Sequence, residues 1–236
     1  MALFRLTAVS VRAVACAARC VPFLRLEGTS MNKDILLCGV GGQGTVLASK
    51  LLASAAMRCG YVAHSAETIG MAQRGGSVTS HVRIGTAAYS PLIPKGHADM
   101  MLAFEPAEAV RNLSYMKKDG IVIVNQLPVK PVTESLRNTG YDGTEMLAYL
   151  QKKCQHLISV DAEALCRAFG TTRVFNVAIL GIAVGTGALG LSAESVLEEI
   201  QTRIPEKYRI LNQNAFQSGK QIGEDHATQF SANAAG

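Results

Sequence analysis

Short apolar runs alternate with longer amphipathic stretches from residue 35 onward. Four runs carry this pattern: Ile35–Cys38, Met100–Phe104, Ile121–Val124 and Leu157–Val160. A near-continuous apolar run of this length is typical of a strand buried on both faces of a parallel sheet. The alternation therefore predicts a single α/β domain, an open and mostly parallel sheet with helices on both faces.

The segments between these runs predict the remaining elements of the first half. Thr45–Cys59 has apolar residues at four-residue spacing and predicts a helix, and Tyr61–Ser65 predicts the next strand. Apolar and polar residues alternate along Ser77–Ile84, which predicts an antiparallel or edge strand. A helix is expected over Glu105–Tyr115, followed by a turn at Lys118–Gly120.

The second half contains an uncharged segment of membrane-span length. Val174–Leu191 has no charged residue over eighteen positions, but Asn176 and several glycines lower its hydropathy. A buried helix that packs closely through small residues is therefore favoured over a membrane span. Asp161 and Ser192 are each expected to cap a helix, the second of which ends before Pro205.

The two ends of the chain differ from the core. Residues 1–30 place Arg5, Arg12 and Arg19 seven apart and contain one acidic residue, Glu27. This extension is interpreted either as lying upstream of a true start at Met31 or as a mitochondrial transit peptide, and the first is favoured. We therefore expect a domain over residues 31–219, a flexible tail over 220–236 and a cytoplasmic location. The transit-peptide alternative implies mitochondria.

Charge and cysteine usage exclude several function classes. The net charge of +5 divides into +3 for residues 1–30 and +2 for the rest, which gives the domain no basic surface for nucleic acid. The six cysteines include no C-x-x-C pair, and the five histidines show no metal-ligand spacing. The sequence thus predicts reduced thiols, no resident metal or iron–sulfur cluster, and no nucleic-acid partner.

A glycine motif follows the first predicted strand and opens the first helix. Gly39, Gly41 and Gly44 form G-x-G-x-x-G, and the loop also contains Gly42 and Gln43. Such a loop lets a phosphate approach backbone N–H groups at the positive end of a helix, as in Rossmann-like dinucleotide-binding folds. The alternative is a structural role, in which the glycines allow close packing of the strand against the helix.

The polar segment after the second predicted strand is unusual for a dinucleotide domain. Glu67 lies near the position where an acid would bind a ribose. Arg74 stands beside Gly75 and Gly76, where it could clamp an anion or could simply be a solvated arginine. Because no Walker lysine, nucleophile elbow or catalytic triad is present, the chain shows no self-sufficient active site.

Several separated motifs together resemble the gamma-type domain of the 2-oxoacid:ferredoxin oxidoreductases, in particular the small subunits of their arylpyruvate (indolepyruvate) branch. The motifs are ILLCGVGGQG at 35–44, GMAQRGGSV at 70–78, DMMLAFEPAEAVR at 99–111, Ile121–Asn125 and Asn176. Val40 within the glycine loop and the QRGG run favour the arylpyruvate branch. The resemblance spans residues 31 to about 219.

The resemblance implies oxidative decarboxylation of an aryl 2-oxoacid with coenzyme A, giving an acyl-CoA, carbon dioxide and reduced ferredoxin. It implies a large (alpha) partner subunit that holds thiamine diphosphate, Mg²⁺ and 4Fe-4S clusters. The glycine loop would hold a phosphate-bearing group. Candidate substrate-facing or subunit-interface residues are Glu67, Met71, Gln73, Arg74, Gly75, Gly76, Ser77, Glu105, Asn125 and Asn176.

Two other functions remain open at the level of sequence. One is a stand-alone oxidoreductase that uses the glycine loop for a nicotinamide or flavin dinucleotide. The other is a non-catalytic, nucleotide-binding regulatory module. Glu105 and Asn125 have structural alternatives as well, because an acid favours the start of a helix and an asparagine can cap a turn.

Overall fold

A computed structural model describes residues 31–69, 75–85, 90–129 and 140–234. The interpretations of residues 1–30 therefore lie outside the described residues, as do Met71, Gln73 and Arg74. The described strands are β1 Lys33–Val40, β2 Ala63–Ile69, β3 Ser77–Ile84, β4 Ala98–Ala103, β5 Met116–Asn125 and β6 His156–Val160. The described helices are α1 Thr45–Arg58, α2 Pro106–Asn112, α3 Thr144–Lys153, α4 Ala162–Cys166, α5 Phe175–Gly185, α6 Ala193–Arg203 and α7 Glu206–Ala234.

The six strands form one mixed sheet in the order β2-β3-β1-β4-β5-β6. β1, β4, β5 and β6 are parallel neighbours, whereas β3 pairs antiparallel with β1 on one side and β2 on the other. The mostly parallel α/β sheet and the antiparallel β3 are thus confirmed. β3 lies inside the sheet and separates β2 from β1.

Alternate residues of the central strands face two separate apolar layers. Ile35 and Leu37 of β1 pack toward α1, α5, α6 and α7, and Leu36 and Cys38 pack toward α2 and α3. All four side chains are fully buried. Burial on both faces explains why the parallel strands are continuous apolar runs in sequence.

α5 is the buried helix expected from the uncharged segment. Every residue from Phe175 to Val184 is buried, and the helix packs along α7 through small residues. Gly181 and Gly185 lie against α7, and Gly219 and Gly223 lie against α5. Within the described ranges, no single helix has the length and hydropathy to cross a membrane. One pair of helical segments, Ala162–Phe169 and Thr172–Gly185, meets the length and composition criteria when taken together, and it is bent by 112°.

Two predictions about local structure are wrong. The flexible tail expected over 220–236 is helical as far as Ala234, because α7 continues along the core: Gly223 contacts α5, and Phe230 packs its ring 4.9 Å from that of His156 on β6. Lys118–Gly120 is not a turn but part of β5. β5 pairs with β4 on either side of this segment, at Met116 and from Ile121 onward, so the segment is a register shift within the strand.

An ion-pair cluster joins α1 to α6. Glu199 is buried and accepts hydrogen bonds from Arg58 at 2.8 Å and from Arg203 at 2.7 Å. Burial alone would raise the pKa of this carboxyl group. The hydrogen bonds from Arg203 and Arg58 outweigh that effect and lower the pKa of Glu199 below its ordinary value.

Candidate functional site

A cavity of about 560 Å³ opens at the carboxyl ends of β1, β4 and β5. After β1 the chain continues to β2 on one side of the sheet, and after β4 it continues to β5 on the other side. The strand order therefore reverses between β1 and β4, which is the usual ligand position in open α/β sheets. The cavity is lined by the glycine loop, the ends of two strands and the starts of α4 and α5. Its lining residues are Gly42, Gln43, Gly44, Phe104, Asn125, Leu127, Pro128, Val129, Ala162, Glu163, Thr172, Arg173, Phe175 and Asn176.

The glycines of the loop meet distinct steric requirements. A Cβ at Gly39 would lie 2.8 Å from Cβ of Phe104, so the strand needs glycine for close approach. Gly42 and Gly44 have φ of 103° and 81°, which favours glycine. Gly44 precedes α1 without a side-chain cap, and the first turn of α1 has no acid. The first N–H groups of the helix thus keep their positive field at the cavity.

Two side-chain amides fix the shape of this loop. Gln43 accepts a hydrogen bond from the N–H of Val40 at 2.8 Å and donates to the carbonyl of Phe104 at 2.9 Å. Asn125 donates to the same carbonyl at 3.1 Å and accepts from the N–H of Leu127 at 3.2 Å. Since these amides are engaged within the protein, they position the loop between the ends of β1, β4 and β5.

The structure brings the second glycine segment against the first. The N–H of Gly41 donates to the carbonyl of Gly76 at 2.8 Å, and the N–H of Gly75 donates to the carbonyl of Gly41 at 3.4 Å. Ser77 donates to Glu108 of α2 at 2.5 Å. Met71, Gln73 and Arg74 are outside the described residues, but the segment that follows them is anchored at the glycine loop.

Two acidic candidates lie away from the cavity lining. Glu67 is on β2 opposite Ser80 of β3, two strands from β1, because β3 occupies the place beside β1. Glu67, the candidate ribose-binding acid, is thus not among the described residues that line the cavity. Glu105 accepts hydrogen bonds from the N–H of Glu108 at 2.9 Å and from the Tyr141 hydroxyl at 2.5 Å. Its observed role is therefore the structural one, capping α2.

Burial and the carboxylate of Glu105 together raise the pKa of Tyr141, so its hydroxyl stays protonated as the donor of this bond.

Asn176 is placed at the cavity, beside Gly44, as the first turn of α5 begins. It is 6% exposed, and its Oδ1 accepts no hydrogen bond. Sequence reasoning missed Glu163, Thr172 and Arg173, which line the same cavity. They belong to no motif, and only the approach of α4 and α5 to the glycine loop brings them there. Among the described residues, no group of three His, Cys, Asp or Glu side chains could hold a metal ion.

Comparison with known sequences supports the resemblance. Residues 34–222 match the family described as pyruvate ferredoxin/flavodoxin oxidoreductase. The chain is 37% identical over 194 residues to indolepyruvate oxidoreductase subunit IorB of Pyrococcus horikoshii, covering 81% of this chain and 96% of that protein. It is 33% identical over 178 residues to the pyruvate/ketoisovalerate oxidoreductases common subunit gamma of Thermococcus kodakarensis, covering 71% and 84%.

Solved structures agree in fold. The gamma subunit of keto/oxoacid ferredoxin oxidoreductase from Geobacter sulfurreducens superposes with a TM-score of 0.59 at 24% identity, covering 82% of this chain and 99% of that one. The 2-oxoglutarate:ferredoxin oxidoreductase of Magnetococcus marinus gives 0.62 at 16% identity, covering 84% of this chain and 32% of that one. The sequence matches confirm the resemblance found in the motifs, and the chain belongs to the pyruvate ferredoxin/flavodoxin oxidoreductase family, as the small subunit of a 2-oxoacid:ferredoxin oxidoreductase.

Proposed function

We propose that the chain works with a large (alpha) subunit to oxidise an arylpyruvate, with indolepyruvate as the first choice. The 2-oxoacid and coenzyme A give an aryl-acetyl-CoA, carbon dioxide and a proton, and two electrons pass singly to two oxidised ferredoxins. The observation that carries this choice is the 37% identity across 96% of an indolepyruvate oxidoreductase subunit, against 33% across 84% of a pyruvate/ketoisovalerate subunit.

The cofactors are proposed to belong to the large subunit, and the side chains of the described residues support this assignment. Cys38, Cys59, Cys154 and Cys166 are free, and the described residues assemble no metal-ligand cluster. We therefore assign thiamine diphosphate, Mg²⁺ and the 4Fe-4S clusters to the large subunit. Thiamine diphosphate there supplies the carbanion chemistry that decarboxylation of a 2-oxoacid requires.

The part assigned to this chain is to bind the co-substrate. The uncapped start of α1 and the positive-φ glycines of the loop fit a diphosphate group, since backbone N–H groups at a helix start favour anions. Coenzyme A is the phosphate-bearing co-substrate of the proposed reaction. We therefore place its diphosphate at Gly42–Gly44, with the reactive thiol directed toward the large subunit.

Reconstitution tests this assignment. Three preparations are compared: the full chain alone, the large subunit alone, and the two subunits produced together. Reduction of ferredoxin is then followed with indolepyruvate, phenylpyruvate and pyruvate. We expect activity only from the two-subunit complex, dependent on coenzyme A and highest with an arylpyruvate. Turnover by the small chain alone, or a preference for pyruvate, would contradict the proposal.

A cytoplasmic location with Met31 as the first residue belongs to the same proposal. Ferredoxin and coenzyme A are then both drawn from the cytoplasm. N-terminal sequencing of the native protein tests the start, which residues from positions 2–20 would refute. Cell fractionation tests the location, which recovery with mitochondria would refute.

A further inference from the structure

The start of α5 and the turn before it line the same cavity as the glycine loop, and of their side chains Phe175 packs into the core against Phe104. Thr172, Arg173, Phe175 and Asn176 all lie on this wall. The first turn of α5 contains no acidic residue that would neutralise the positive end of the helix. The start of α5 is thus, like the glycine loop, a part of the cavity wall that favours an anion.

Asn176 carries the first independent observation. Its side chain is buried, yet Oδ1 accepts no hydrogen bond from any described group. A buried carbonyl oxygen without a donor is unfavourable, and such groups are uncommon in folded proteins. Asn176 lines the cavity, so a rotation of its side-chain amide would present this oxygen to an N–H or O–H group of a ligand there.

Arg173 carries the second observation. Its backbone N–H donates to the Thr171 hydroxyl at 3.2 Å, but its exposed guanidinium donates to no described residue. Glu163 lines the same cavity, yet no ion pair joins it to Arg173. Arginine presents a planar set of donors that matches phosphate oxygens, so this side chain is a cation available at the cavity.

We infer that Arg173 and Asn176 form the second half of the binding site. The Arg173 guanidinium binds phosphate oxygens of the molecule whose diphosphate lies on the glycine loop, and Asn176 Oδ1 accepts a hydrogen bond from an amide N–H or hydroxyl of that molecule. The ligand class is a phosphorylated carrier with such donors beside its phosphates. A cavity of about 560 Å³ is of the size that holds small molecules. This inference rests on the proposed function for the identity of the ligand, coenzyme A.

Binding to the full chain tests the inference without using activity. Coenzyme A and inorganic pyrophosphate are titrated calorimetrically into the wild type, Arg173→Gln and Asn176→Ala. We expect Arg173→Gln to weaken binding of both ligands about 10- to 100-fold, the range for a lost charged hydrogen bond. Asn176→Ala is expected to weaken coenzyme A about fivefold and to weaken pyrophosphate less, because pyrophosphate has none of the amide N–H and ribose hydroxyl donors of coenzyme A.

A matched variant controls for charge. Arg167→Gln removes an exposed arginine on the turn after α4 that does not line the cavity, and the affinity of this variant for coenzyme A is expected to equal that of the wild type. Thermal unfolding separates binding from folding: Asn176→Ala should unfold at the same or a higher temperature, since the unpaired oxygen is gone. Equal affinities for wild type and Arg173→Gln would overturn the inference.

The same variants in the two-subunit complex distinguish the remaining outcomes. A rise in the KM for coenzyme A with Arg173→Gln, at an unchanged KM for the 2-oxoacid, supports the inference even where the isolated chain binds weakly. Loss of complex assembly with unchanged coenzyme A affinity would place Arg173 at the subunit interface and refute it. If the complex oxidises no arylpyruvate but its affinity for coenzyme A still depends on Arg173, the proposed function is refuted and the inference about Arg173 stands.

Discussion

Gly219→Ala sets local helix propensity against tertiary packing. Gly219 lies within α7, and a Cβ at this position would overlap the carbonyl oxygen of Ala178 in α5. That carbonyl belongs to a buried helix and cannot swing aside without breaking its own hydrogen bond. The added methyl group must therefore push α5 and α7 apart.

The expected effect combines two opposing magnitudes. Replacing an interior helical glycine with alanine stabilises a helix by about 1 kcal/mol. Forcing an extra carbon into a well-packed contact costs about 1–3 kcal/mol. Because the overlap is with backbone atoms, we expect the cost at the upper end of this range and a net loss of about 2 kcal/mol in the free energy of unfolding, which corresponds to a fall in Tm of roughly 4–8 °C for a chain of this size.

Urea unfolding of the full chain, followed by circular dichroism, measures this difference. Gln217→Ala is the control, because Gln217 is exposed on the same helix and its replacement is expected to change stability by less than about 0.5 kcal/mol. A gain of about 1 kcal/mol for Gly219→Ala, as an exposed helical glycine would give, would refute the packing of α5 against α7 through small residues.

The other predictions concern the loop, an ion pair and the thiols. Gln43→Ala leaves the buried N–H of Val40 without its acceptor and is expected to lower the free energy of unfolding by about 1–3 kcal/mol in urea; an unchanged midpoint would contradict the loop geometry. Because the pKa of Glu199 is lower in the folded state, its stabilising effect is present above the unfolded pKa and is lost as pH falls through the folded one. The stability difference between wild type and Glu199→Gln is therefore expected to be largest near pH 7 and to shrink toward pH 3, and a difference independent of pH would contradict this. Burial raises the pKa of the Cys38 thiol and raises that of Cys166 to about 11, so iodoacetamide at pH 8 should leave both unmodified in the native chain and label both in urea; native-state labelling detected by mass spectrometry would show that these sites open.

The local elements could be predicted from the sequence because they depend on neighbours in the chain. The apolar runs identified β1, β4, β5 and β6, since a parallel strand buried on both faces needs apolar residues at every position. Asp161 and Ser192 cap α4 and α6 through hydrogen bonds to an N–H three residues later, which is a purely local geometry. The glycine loop was recognisable for the same reason.

Strand order and cavity composition were decided only by the tertiary structure. No local pattern specifies that β3 lies between β2 and β1, and that one long-range pairing removes Glu67 from the cavity. The continuation of α7 beyond residue 220 likewise depends on contacts with α5 and His156, because its own apolar stripe is weak. Arg173 comes to line the same cavity as the glycine loop only through the packing of α5, so a sequence motif could identify one part of the cavity wall and only the tertiary structure could identify the other.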